Sequence, residues 1–182
     1  MRLLAPAALI GLASLTLLVS AALAQCPREQ DPIATDRPDV TNSSLVLPPG
    51  SFQSENGINV SQFKGGHTLD ATNSRLRFGV APCWEILVDV PTYVRAVNGA
   101  LSSGFTNVTP ALKWQISSIR GKVDLSATLG AALPTGTKSI AGGGMQPYVQ
   151  VPWSWALGGG WGVNGMLTSF FAPADPVNKQ TT

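Results

Sequence analysis

From Gly50 onward, apolar residues alternate with polar or small ones over segments of about 12 to 14 residues, the period of a strand with two unlike faces. The clearest segment is 84–97, where Trp84, Ile86, Val88, Val90 and Val94 fall on one face and Glu85, Asp89, Tyr93 and Arg95 on the other. Residues 122–133 repeat it, with Val123, Leu125, Ala127, Leu129, Ala131 and Leu133 opposing Lys122, Asp124, Ser126, Thr128, Gly130 and Ala132. In 105–118 the apolar set is Val108, Leu112, Trp114 and Ile116, against Asn107, Thr109, Lys113 and Gln115. Segment 145–157 alternates less cleanly because Pro147 and Pro152 interrupt it. Candidates at 52–63, 68–80 and 160–171 bring the total to about seven strands.

These strands are long for a soluble domain, where about five or six residues is usual, and suit tilted membrane-crossing strands of about 9 to 11 residues with short extensions. Alternation alone does not separate a barrel from a soluble sandwich, since both have one apolar and one polar face. The connections add a second signal. Those at Ala81-Pro82-Cys83, Ile119-Arg120-Gly121 and Gly158-Gly159-Gly160 are tight, whereas 98–104 and 134–144 are longer and rich in Gly, Ser and Thr. Short and long connections at alternate strand ends are the habit of an outer-membrane barrel, although the one at 64–67 is shorter than that pattern wants. Trp84, Trp114, Trp153, Trp155 and Trp161 fall mostly near strand ends on the apolar face, where an aromatic girdle would sit.

The first 24 residues read as a cleaved signal peptide: Arg2 is a minimal positive region, 3–23 are almost wholly apolar, and Ala22-Leu23-Ala24 is a small-residue cleavage site. The chain then divides into an extended periplasmic segment at 25–50, barrel strands at 51–171 and a polar tail at 172–182. Pro27, Pro32, Pro38, Pro48 and Pro49 mark the extended segment, which ends in a turn. Within it, Asp36, Arg37 and Asp39 are expected as a solvated turn, the alternative being a charged cluster that plugs or gates a pore. Cys26 and Cys83 would share the oxidising periplasmic side, either bridged or as two free thiols.

Composition narrows the function. The 12 Lys and Arg nearly cancel the 10 Asp and Glu, so the net charge of +2 makes no electrostatic case for nucleic acid. Two cysteines and one histidine are too few soft ligands for a structural zinc site, and no cofactor is expected. No catalytic motif emerges either. His67 sits in a glycine turn without a serine partner, no Gly-x-Ser-x-Gly elbow occurs, and Gly136-Thr137-Lys138-Ser139 lacks the phosphate-loop spacing, so no enzyme is expected.

Several short motifs carry a family likeness. Thr35-Asp36-Arg37-Pro38-Asp39, the run from Leu47-Pro48-Pro49-Gly50 through Asn56-Gly57, and Arg75-Leu76-Arg77-Phe78-Gly79-Val80 leading to Trp84-Glu85-Ile86 resemble the bacterial transporter family of the MetA pathway of phenol degradation. Leu133-Pro134-Thr135-Gly136 and Gly160-Trp161-Gly162 are similar to its later strand ends, and the likeness runs from about residue 35 to 171. The resemblance implies an outer-membrane β-barrel with a transport role and brings no catalytic residues. In its pattern Gln53, Glu55 and Glu85 are strand positions facing the expected lumen.

The combined expectation is an all-β, antiparallel, up-and-down outer-membrane β-barrel of a Gram-negative cell. An odd strand count departs from the even counts of bacterial barrels and suggests part of a larger barrel, a truncated frame. The function expected is a porin-like transporter or channel for passive passage of small, hydrophobic or aromatic solutes. Gln53, Glu55, Arg75, Arg77, Glu85, Asp89, Arg95 and Lys113 would line its lumen. Its partners would be outer-membrane lipid, a small-molecule solute and the barrel-assembly machinery, with no nucleic acid. Two alternatives are a non-conducting structural or binding barrel and a soluble periplasmic β-sandwich binding protein.

Overall fold

A computed structural model of the 182-residue chain describes residues 35–36, 41–98, 100–119 and 122–171. The signal-peptide reading, Cys26, Arg37, Asp39 and the tail lie outside the described residues.

Among the described residues eleven strands form, all paired antiparallel: β1 (Phe52–Glu55), β2 (Ile58–Phe63), β3 (Gly66–Ala71), β4 (Arg75–Ala81), β5 (Trp84–Asp89), β6 (Tyr93–Asn98), β7 (Ala100–Phe105), β8 (Thr109–Ile119), β9 (Val123–Ala132), β10 (Gln146–Gly158) and β11 (Trp161–Phe170). One short helix, α1 (Lys138–Ala141), lies between β9 and β10. A seven-stranded sheet has the order β1-β4-β5-β8-β9-β10-β11, and a four-stranded sheet the order β2-β3-β6-β7. The two sheets are one meander. Each of the first three long segments seen in the sequence breaks once, at 56–57, 72–74 or 90–92, and contributes its two halves to the two sheets; the fourth, 105–118, breaks at 106–108, so that Phe105 ends β7 in one sheet and the rest forms β8 in the other.

The breaks revise the expected connections. Residues 98–104 are not a loop: β6 and β7 pair from Tyr93↔Phe105 to Asn98↔Ala100. β2 and β3 likewise form a hairpin closed at Lys64-Gly65, which places Gly66 and the exposed His67 in β3 rather than in the turn. At one end of the seven-stranded sheet the turns are tight, and at the other it is prolonged by these two hairpins and by the loop carrying α1. That loop is docked on β7: Thr137 Oγ1 accepts from Phe105 N–H at 2.9 Å, and Gly136 N–H donates to Asn107 Oδ1 at 2.9 Å. The alternation of short and long ends is therefore present, with the long ends built mainly from paired backbone.

Pro152 has no N–H to give a ladder, and the β9–β10 register passes from Gln150↔Thr128 directly to Trp153↔Leu125. The turn between β4 and β5 takes Pro82 followed by Cys83 at a φ of 68°. That is a left-handed conformation uncommon outside glycine. Cys83 is disulfide-bonded, and its expected partner Cys26 lies outside the described residues.

Burial in the seven-stranded sheet is the reverse of a water-soluble sandwich. Arg77, Glu85 and Lys113 are 0% exposed, whereas Phe52, Leu129, Leu167 and Trp161 are 59%, 63%, 71% and 77% exposed. On the apolar face Trp84 stacks on Trp114 at 5.8 Å, beside the tight turn at 82–83, and Trp161 begins β11 beside the turn at 159–160. The tryptophans thus gather at the tight-turn end, while the ring pair Tyr148–Phe170 lies at the opposite end of β10 and β11. Among the described residues no helix is long and apolar enough to cross a membrane, which says nothing about crossing by strands.

Candidate functional site: a charged sheet face under an N-terminal strap

Period-two alternation places the polar residues in rows across one face of the sheet. One row runs Glu55–Arg75–Asp89–Thr109, through the pairings of β1, β4, β5 and β8. Another runs Glu85–Lys113–Thr128–Gln150, through β5, β8, β9 and β10. Between them lie Gln53, Arg77, Leu87, Ala111, Gly130 and Tyr148. Gly130 is glycine where the Tyr148 ring lies against the sheet, in the space a Cβ would fill.

Residues 41–48 cover these rows. They join no strand ladder; side chains of the sheet satisfy them instead. Asn42 Nδ2 donates to Gln150 Oε1 at 2.9 Å and Ser44 Oγ lies 2.9 Å from Ser154 Oγ, both on β10. Val46 N–H donates to Gln115 Oε1 on β8 at 3.0 Å, and Leu47 N–H to Glu85 Oε2 on β5 at 2.7 Å. The strap then leaves over β4 at Gly79, where a Cβ would collide with the carbonyls of Leu47 and Pro48. Asn42 Oδ1 also accepts from Arg75 Nη1 at 2.9 Å, so this one side chain joins β4 to β10. In a flat sheet those strands would lie about 19 Å apart with parallel side chains. The sheet curls around the strap with its polar face inside.

Beneath the strap the charges pair. Arg77 forks onto Glu85, with Nε to Oε1 and Nη2 to Oε2 both at 2.9 Å, and its Nη1 reaches Glu55 Oε1 at 3.0 Å. Arg75 forks onto Asp89 at 2.7 and 3.0 Å. Asp36, itself buried, stands between the cations: Oδ2 is 3.1 Å from Arg75 Nη1, and Oδ1 is 3.5 Å from Arg77 Nη1 and 3.6 Å from Lys113 Nζ. Burial by itself would raise the Asp36 carboxyl, but Lys113, Arg77 and Arg75, with the Ser43 N–H at 2.7 Å, hold it below the ordinary aspartate value. Forked charge-assisted contacts such as these fix geometry more than they add stability, because burial of each ion opposes its attraction to the other.

Of the residues expected to face a lumen, Glu55, Arg75, Arg77, Glu85 and Lys113 are buried together on this face, with Asp89 and Gln53 beside them; Gln53 Nε2 donates to Glu55 Oε1 at 2.8 Å. Arg95 is not among them: it lies on β6 in the four-stranded sheet and is exposed. Asp36, expected as part of a solvated turn, is 1% exposed and is the central carboxylate of the cluster. The strap residues Asn42, Ser44 and Val46 carried no sequence signal, since none belongs to a periodic segment, and Leu47 entered only as the start of a family-like run. A cleft of about 330 Å³ opens where the two sheets meet, lined in part by Asp70, Asn73, Asp89, Thr92, Asn107 and Thr109. It reaches the cluster at Asp89. Among the described residues no group of three or more His, Cys, Asp and Glu is arranged to hold a metal ion.

The described residues form an antiparallel meander with charges sequestered on one face of the seven-stranded sheet and large apolar residues displayed on the other. Residues 35–172 match the protein family described as "Putative MetA-pathway of phenol degradation", and the chain belongs to that family. No curated protein and no solved structure matches the chain. The family description and the all-β fold are compatible with an outer-membrane, transport-related β protein.

Proposed function

We propose that this protein is an outer-membrane β-barrel that passes small solutes along the charged face of its seven-stranded sheet. The observation that carries the reading is the inverted burial. Exposed Phe52, Ile86, Leu129, Val163 and Leu167 are costly in water but suit lipid, while Arg77, Glu85 and Lys113 are enclosed. The aromatic residues near the tight turns suit an interface at that end. A mixed-sign polar wall favours weak, non-covalent contacts with a passing solute and needs no energy coupling.

A second reading, a barrel that stays shut, draws on the strap, because 41–48 occupy the face along which a solute would move. Proteoliposome swelling distinguishes the two. The transport reading predicts that small sugars or amino acids enter vesicles containing the protein faster than protein-free vesicles. Equal rates, with heat-modifiable mobility showing folded protein, would favour the shut barrel. Recovery of the exported chain only as soluble periplasmic protein would overturn both.

A further inference from the structure

Three cations from two strands converge on one carboxylate that belongs to neither strand. Arg75 and Arg77 lie on β4 and Lys113 on β8, while Asp36 arrives on the irregular N-terminal segment. Both Asp36 oxygens are used: Oδ2 accepts from Arg75 Nη1 and Oδ1 from the Ser43 N–H, while Arg77 Nη1 and Lys113 Nζ face Oδ1 as ion pairs at 3.5 and 3.6 Å. The two arginines have further acids: Asp89 holds Arg75, and Glu85 and Glu55 hold Arg77. Lys113 has none so close. Among the described residues its buried ammonium makes one ion pair, with Asp36, feels Glu85 only at longer range, and has no hydrogen-bond partner; the Ser126 and Thr128 hydroxyls, on the neighbouring strand β9, are likewise buried without one. A buried ammonium with unused donors is a costly arrangement unless something completes it.

We propose that Arg75, Arg77 and Lys113 form a carboxylate-binding subsite in which Asp36 is the resident ligand, and that a small solute carboxylate takes its place when the strap withdraws. The charge count favours exchange over addition. With Asp36 present the cluster holds Arg75, Arg77 and Lys113 against Asp36, Glu55, Glu85 and Asp89, so a further anion would enter an already negative site. With Asp36 withdrawn, the cations and acids among the described residues balance, and Lys113 keeps only the longer-range attraction of Glu85. The strap is suited to leave, because its contacts with the sheet run through side chains and not a backbone ladder. The cleft at Asp89 supplies an approach beside Arg75. Naming small monocarboxylates as the solute class rests on the transport reading; the subsite itself rests on the geometry alone.

Acetate is the probe. In the full chain folded in detergent micelles, Asp36→Ala removes the resident carboxylate, and its urea midpoint should fall below that of the native protein. Acetate should restore most of the loss in a saturating manner, as a ligand bound only by the folded state does, while chloride at equal ionic strength does not. Asp36→Ala/Lys113→Met should show no acetate dependence. A midpoint of Asp36→Ala indifferent to acetate would overturn the proposal. Should Asp36→Ala not fold, Ser44→Cys in the otherwise native chain reads strap withdrawal directly, because Ser44 is buried against β10. Maleimide labelling of that thiol should accelerate several-fold as acetate or benzoate is added, and a rate unaffected by either sinks the subsite. Both readouts are independent of permeation: rescue in a protein that leaves vesicles impermeable would retain the subsite and remove the transport reading.

Discussion

The two halves of the seven-stranded sheet share one alternation and differ in what covers it. Across β4, β5 and β8 the inward positions carry Arg75, Arg77, Glu85 and Lys113, and the strap closes over them. Along β11 no charged residue occurs, no strap residue makes a hydrogen bond, and every residue except Gly165 and Met166 is exposed. β1 and β11 each have a single ladder neighbour among the described residues, yet β1 is tied in by Gln53 and Glu55 while β11 depends on β10 alone. The pleat decides which side chains face together. Burial is decided by a segment from elsewhere in the chain.

That contrast breaks most visibly at Arg77. Replacing it with leucine leaves the buried acids Glu85 and Glu55 without their forked partner, and such a loss costs about 3–5 kcal/mol. The double change Arg77→Leu/Glu85→Leu should recover part of it, and equilibrium urea unfolding in lipid vesicles measures both. A single-variant loss under about 1 kcal/mol would mean that the cluster is hydrated rather than sealed.

The outer face gives the next largest effect. Leu129 lies mid-strand on β9, opposite Leu112, and is 63% exposed. If its surroundings are hydrocarbon, Leu129→Arg should cost about 2–4 kcal/mol near the bilayer midplane. In water the same change should stay within about 0.5 kcal/mol. The same unfolding titration in vesicles separates lipid from solvent at this face.

Gly79→Ala sharpens the comparison by acting on the strap and sparing β10 and β11. Its methyl group would meet the carbonyls of Leu47 and Pro48, so the strap must shift, at a cost of about 1–3 kcal/mol. Faster hydrogen exchange at Val46 and Leu47 N–H, with β10–β11 amides unchanged, is the expected outcome.

The smallest effect is that of acid. Asp36 lies among the cations Arg75, Arg77 and Lys113 and the acids Glu55 and Glu85, and its carboxyl is held below the ordinary value of 3.8. Its contribution to stability is therefore complete above that value and is lost as pH falls through the lower folded one. The difference in urea midpoint between the native chain and Asp36→Asn should be constant through neutral pH and shrink only below about pH 4. A difference that already narrows near pH 6 would mean that burial outweighs the three cations at this carboxyl.

The strands could be read from the sequence because each side-chain position on a strand repeats every two residues, so Trp84 to Asp89 or Val123 to Ala132 announce their two faces locally. The mutual placement of Glu85, Lys113 and Thr128 follows once those strands pair in sequence order. The breaks at 56–57, 72–74, 90–92 and 106–108, which part the meander into two sheets, were not legible there, nor was the exclusion of Arg95 from the cluster, since Arg95 keeps the two-residue phase of Glu85 and Asp89. Asp36 and the strap were hidden for a related reason. An irregular segment has no period, and its partners lie far along the chain, with Asp36 19 residues from Glu55 and Ser44 110 residues from Ser154. By itself the sequence determined the antiparallel meander and which residues of each strand share a face. Tertiary structure decided that the charged face is sealed, because sealing depends on long-range contacts between a segment without pattern and a sheet that has already curled.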